Sequence, residues 1–106
     1  MAIINIDGRE MEFAANAATP IRFKQIFKTD LMRMFQDTES VEYYEAVTQL
    51  AYVMNAQAEK NGFNGKSFDD YCTWLEGFTP MAFLNVAEEI VNVWAESETT
   101  TSTPKK

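Results

Sequence analysis

The chain is expected to fold as an α+β domain, mostly α, in which an N-terminal β-hairpin packs on a small bundle of four to five helices, with a disordered C-terminal tail. Three observations predict this. Residues 3–13 alternate apolar and polar around an Asp-Gly pair, and most of the remaining chain carries apolar residues at helical spacing. The length of 106 residues, with 46% apolar and 24% charged residues, bounds the chain to one core of ordinary soluble composition. A single globular domain is placed at 1–97 and the tail at 98–106.

In the hairpin, Ile4, Ile6, Met11 and Phe13 share one face, and Asp7-Gly8 suits a two-residue type I′ turn. A hairpin alone is marginal in water, so that face must pack on the helices. Thr19-Pro20 then reads as N-cap and first helical position. Phe23, Ile26, Phe27, Leu31, Met34 and Phe35 keep helical spacing over about 19–36, and Thr29-Asp30 leaves open whether this is one helix or two.

The clearest helix spans about 40–59, with Tyr43, Val47, Leu50, Ala51, Met54 and Ala58 on one side and Glu42, Glu45 and Gln49 opposite. After the glycines at 62 and 65, Ser67 and Asp70 form a capping-box-like start for a helix over 67–76, which Gly77 ends. Thr79-Pro80 repeats the start signature for a helix over 79–96 that buries Phe83, Ala87, Ile90 and Trp94. The two Thr-Pro-x-x-Phe stretches arise from helix-start chemistry and need no duplication. Beyond Ser97 the polar run lacks large apolar residues to offset the entropy of ordering.

Composition excludes several functions. There is no histidine, so the usual neutral-pH base and the usual nitrogen ligand for zinc, copper or iron are missing. With glycine at the sixth position, the loop around Gly62 and Gly65 puts Gln57 and Phe68, or Lys60 and Tyr71, where a calcium loop needs acids. Cys72, the only cysteine, sits among Tyr71, Trp74 and Leu75 and reads as a core residue, unable to form an intramolecular disulfide. Asp69-Asp70 and Glu88-Glu89 point apart on their helices and suit solvated faces. No enzyme activity, metal or cofactor is expected.

A net charge of -7 makes phosphate backbones poor partners, and no apolar run can span a bilayer or serve as a signal peptide. These exclusions leave protein binding. Leu31, Met32, Met34 and Phe35 cover an apolar arc of roughly 160°, wider than one buried stripe requires, and form a candidate partner surface. Arg22, Lys24, Lys28 and Arg33 concentrate positive charge in one stretch, whereas residues 37–98 hold twelve acids and only Lys60 and Lys66. A basic element on an acidic body supports head-to-tail self-association.

The order Ile-Asn-Ile-Asp-Gly-Arg-Glu, Ala-Ala-Thr-Pro-Ile-Arg-Phe-Lys-Gln-Ile-Phe, Asp-Leu, Leu-Ala-Tyr-Val-Met, Phe-Asp-Asp-Tyr-Cys-Thr-Trp-Leu and Thr-Thr-Ser-Thr-Pro-Lys-Lys, from Ile3 to Lys106, resembles tail assembly chaperones of long-tailed phages and prophages of Gram-positive bacteria. The ordered series and its end carry the likeness; after the phenylalanine of helix one, where a glycine is expected, this chain has Lys28. The resemblance implies a protein that coats and solubilises the tape measure protein in the cytoplasm of an infected or lysogenic host. It implies help in recruiting tail tube subunits through an extended, frameshifted product, assembly of several copies into a ring or spiral, and absence from the finished virion. Lys105-Lys106 require an A-rich hexamer in the message, since both lysine codons are AAA or AAG, which suits a slippage site. The alternative is a small acidic inhibitor, a nucleic-acid mimic filling a basic cleft on a host protein, which the charge permits.

Overall fold

The computed structural model describes residues 2–28, 41–58 and 67–102, with the backbone alone for 41–42 and 97–102. An antiparallel hairpin, β1 (Ala2–Ile6) and β2 (Arg9–Phe13), precedes α1 (Thr19–Phe27), α2 (Val41–Gln57), α3 (Phe68–Leu75), α4 (Ala82–Asn85) and α5 (Ala87–Ser102). The α+β class, with its hairpin on a helical bundle, is as expected. Among the described residues no helix is long and apolar enough to cross a membrane.

The hairpin forms for the anticipated reason. Asp7 and Gly8 both take positive φ, 56° and 83°, as a type I′ turn demands, and the Asn5 side-chain oxygen accepts the Gly8 N–H at 3.0 Å. Ile4, Ile6 and Phe13 are buried and Met11 is half-buried. The turn is also anchored from afar. The Asp7 carboxylate accepts the Thr79 N–H at 2.8 Å and its hydroxyl at 3.1 Å, while Arg9 donates to the Gly77 carbonyl at 3.0 Å and lies 4.2 Å over the Phe78 ring.

That anchor corrects the second Thr-Pro start. Thr79 serves the hairpin rather than a helix N-terminus, α4 begins at Ala82 without a side-chain cap, and Val86 at φ -119°, ψ 16° separates it from α5. The single helix expected over 79–96 is therefore two. α5 keeps helical backbone to Ser102, and residues 103–106 lie outside the described ones. At the first Thr-Pro, Pro20 sits in the first turn, but Ala18 is the N-cap and Thr19 is fully buried. Its hydroxyl oxygen accepts from the Asn16 N–H and from the Gln57 amide, both at 2.9 Å, which commits it to the entry of the helix rather than to a cap.

Over 19–36, where one helix or two stood open, the first helix stops at Phe27 and residues 29–36 lie outside the described ones. Lys28 takes the left-handed conformation, φ 60°, ψ 27°, and donates its N–H to the Lys24 carbonyl at 2.7 Å, ending α1 at Phe27. A non-glycine residue there carries about 1–2 kcal/mol of steric cost.

The core is organised around α2, which touches β2, α1, α3, α4 and α5. Every residue from Ala46 to Met54 is buried. The polar face expected opposite Leu50 is thus not solvated as a whole: Glu45 is exposed, but Gln49 is only 4% exposed and its Oε1 has no hydrogen-bond partner. Among the described residues the other buried polar side-chain atoms have partners. Thr48 donates to the Glu45 carbonyl at 2.8 Å, so its oxygen is left to accept from the Tyr71 hydroxyl at 2.6 Å. Tyr52 donates to the Asp70 carboxylate at 2.5 Å. Ser67 accepts the Asp70 N–H at 3.2 Å, so the expected cap of α3 forms, and half-buried Cys72 packs against the core.

Aromatic rings join these layers. Phe27 meets Phe23 at 5.2 Å and Tyr71 at 4.9 Å, Tyr71 meets Tyr52, and Tyr52 leads through Trp74 to Phe78 and Phe83. The ladder ends under Arg9.

This packing can be checked by two stability experiments. Lys28→Gly removes the left-handed strain but loosens the unfolded chain, for a net gain of about 0.5–1 kcal/mol, seen as a higher urea midpoint at unchanged slope. Burial pushes the Tyr71 hydroxyl from its ordinary 10.0 up to about 12. Its stabilising contribution is complete below pH 10 and is lost as pH rises from 10 to 12, on the order of 2 kcal/mol. In urea melts across that window, Tyr71→Phe should show a shallower decline, after losing about 1 kcal/mol at neutral pH with the hydrogen bond to Thr48.

Candidate functional site: the outer face of the first helix

α1 has two unlike sides. At about 100° per residue, Thr19, Arg22, Phe23, Ile26 and Phe27 turn toward the core, while Ile21, Lys24, Gln25 and Lys28 fall within an arc of about 100° on the far side. Thr19 and Phe23 are fully buried, and Ile26 and Phe27 are half-buried against the core. Ile21, by contrast, is 69% exposed, the most exposed large apolar side chain among the described residues. Pro20, Ile21, Lys24 and Gln25 line a shallow groove of about 480 Å³.

The packing of α1 on α2 makes this division. Gln57 at the end of α2 donates to the Ala14 carbonyl at 2.7 Å and to the Thr19 hydroxyl, and its Oε1 accepts from the Arg22 guanidinium at 3.1 Å. Three groups held by one amide fix the rotation of α1. Arg22 is thereby half-buried on the core side, away from the lysines with which sequence grouped it. Lys24 and Lys28 stand exposed one turn apart, and Lys28 donates to the Gln25 carbonyl at 3.0 Å, neutralising the open end of the helix.

Of the basic set, the structure brings together Lys24 and Lys28, removes Arg22, and leaves Arg33 outside the described residues. The apolar arc Leu31, Met32, Met34 and Phe35, the Lys105-Lys106 end and the glycine loop at 59–66 also lie outside them. Ile21 was missed by sequence reasoning, although a signal existed: it stands about 200° around the helix from Phe23 and so cannot share that buried stripe. Other exposed apolar side chains are dispersed, with Ile3 on β1, Phe68 at the start of α3, and Met81 and Leu84 around α4.

The arrangement offers an apolar centre with ammonium groups beside it, on a chain of net charge -7. Such a surface accepts an amphipathic helix whose apolar stripe is flanked by acids, because lysine stems extend the apolar contact while their heads stay in water. Among the described residues no group of three or more His, Cys, Asp or Glu could hold a metal ion.

The two kinds of cation should separate in mutagenesis. Arg22→Ala strips Gln57 of its donor and should lower stability by about 1–2 kcal/mol, whereas Lys24→Ala should stay within about 0.5 kcal/mol, both read from urea midpoints. Compared with protein-family models, with curated proteins and with solved structures, the chain matches none.

Proposed function

We propose that the chain is a tail assembly chaperone of a long-tailed phage or prophage, the short product of a frameshifted pair, acting in the bacterial host cytoplasm. It binds and solubilises the helical tape measure protein and helps recruit tail tube subunits through the extended product, with several copies assembling along the client as a ring or spiral. The observation that carries this reading is Ile21, 69% exposed between Lys24 and Gln25 on a helix whose other face is held firmly to the core. A stable domain that keeps a large aliphatic side chain in water beside lysines has a surface suited to an apolar, helical client. The acidic remainder keeps such a complex soluble.

The test is co-expression with the tape measure protein encoded downstream. The soluble fraction of that client should rise several-fold with the wild-type chain. It should fall back with Ile21→Asp, whose own stability should stay within about 0.5 kcal/mol of wild type because the site is solvated. A client no more soluble with the chain than without it ends the proposal. Retention of the complex at ~500 mM salt separates apolar coating from acidic mimicry, which screening weakens steeply.

A further inference from the structure

The two-stranded sheet has unlike edges. The pairs Ile6↔Arg9, Ile4↔Met11 and Ala2↔Phe13 alternate with Asn5↔Glu10 and Ile3↔Glu12. In a two-residue hairpin the pair flanking the turn exchanges both backbone bonds, so the N–H and C=O groups of Ile3 and Asn5 on β1, and of Glu10 and Glu12 on β2, point away from the sheet. On the β2 side the fold uses that edge: the Glu12 carbonyl accepts from the Asn55 side chain at 2.9 Å, and just beyond the strand Ala14 donates its N–H to the Met54 carbonyl at 3.0 Å. On the β1 side no described residue hydrogen-bonds the backbone of Ile3 or Asn5, although α5 packs on β1, and both residues are exposed, Ile3 by 62%.

β1, Ala-Ile-Ile-Asn-Ile, has none of the devices that blunt a sheet edge: no charge, no proline and no bulge in its register. The neighbouring strand carries Arg9, Glu10 and Glu12, so within the hairpin only β1 is neutral. Glu10 and Glu12 sit across from Asn5 and Ile3 on the outer face, which disfavours an acidic incoming strand and favours an uncharged one. β1 itself meets that requirement.

We infer that the free edge of β1 pairs antiparallel with β1 of a second copy, joining two hairpins into a four-stranded sheet. Placing Ile3 opposite Asn5 of the other copy uses all four outward groups of each strand in four hydrogen bonds and sets the two-fold axis at Ile4. The contact is then self-complementary, as a closed two-fold interface must be. It is separate from the α1 surface and holds whether or not that surface binds a client. Five-residue strands bury little area, so the association belongs to the weak, transient class.

Mass by sedimentation, together with amide exchange by NMR, tests this at ~50 µM and ~1 mM protein and at ~50 and ~500 mM salt. The mass should rise toward that of a dimer with concentration, and more so at high salt, because two chains of charge -7 repel less when screened. The Ile3 and Asn5 amides should exchange at least ~5-fold more slowly at the higher concentration, while those of Ile4 and Ile6 are protected at both. Ile3→Pro, which removes an N–H that the hairpin does not use, should abolish association; Ile3→Thr, which keeps it, should not. A monomer under all four conditions overturns the inference, as does a dimer in which the Ile3 and Asn5 amides exchange freely. Association that weakens with salt would place the contact on the lysines of α1 and overturn it equally.

Discussion

The rest of the structure depends on the enclosure of α2. A helix with no solvent-facing side from Ala46 to Met54 must be surrounded, and β2 and the four other helices surround it. Enclosure also sets the polar chemistry. Thr48 and Tyr52 could not be buried without partners, and α3 supplies them through Tyr71 and Asp70. Gln49 is the exception: a buried carbonyl oxygen left unpartnered subtracts on the order of 1–3 kcal/mol from the stability that packing provides.

From enclosure comes the division of labour on α1. Gln57, at the end of the buried helix, reaches the backbone before α1, the hydroxyl at its start and the guanidinium one turn in. A helix of nine residues fixed at two points, with the chain before it tied at a third, has little freedom to rotate, so Ile21 cannot turn inward to escape water. The exposed isoleucine is a consequence of how well the opposite face is held.

Much of the fold was legible because local rules sufficed. Alternation and Asp-Gly specify the hairpin, helical spacing marks α2, and Ser67 with Asp70 marks the start of α3. Sequence failed where a distant group outcompeted a local one. Thr19 and Thr79 have the chemistry of caps, but Gln57 and Asp7 claim their hydroxyls. Gln49 looked solvated because periodicity cannot see a second layer of packing. The end of α1 was hidden because the apolar spacing continues through a lysine that adopts a glycine-like conformation. For the candidate surface, the lysines were visible as charge, but separating Arg22 from them required knowledge of Gln57. Ile21 could have been found on a helical wheel.

The latch between the hairpin turn and residues 77–79 also has a meaning in time. Asp7 and Thr79 are separated by 72 positions, and at the usual rate of chain synthesis that interval is about 4–14 s. The hairpin, made earlier than its anchor, therefore waits through that interval to dock, and an isolated hairpin has little stability of its own. For those seconds the nascent chain presents an uncharged, isoleucine-rich strand before its own core exists, and a cell making many copies at once exposes them to one another at that stage.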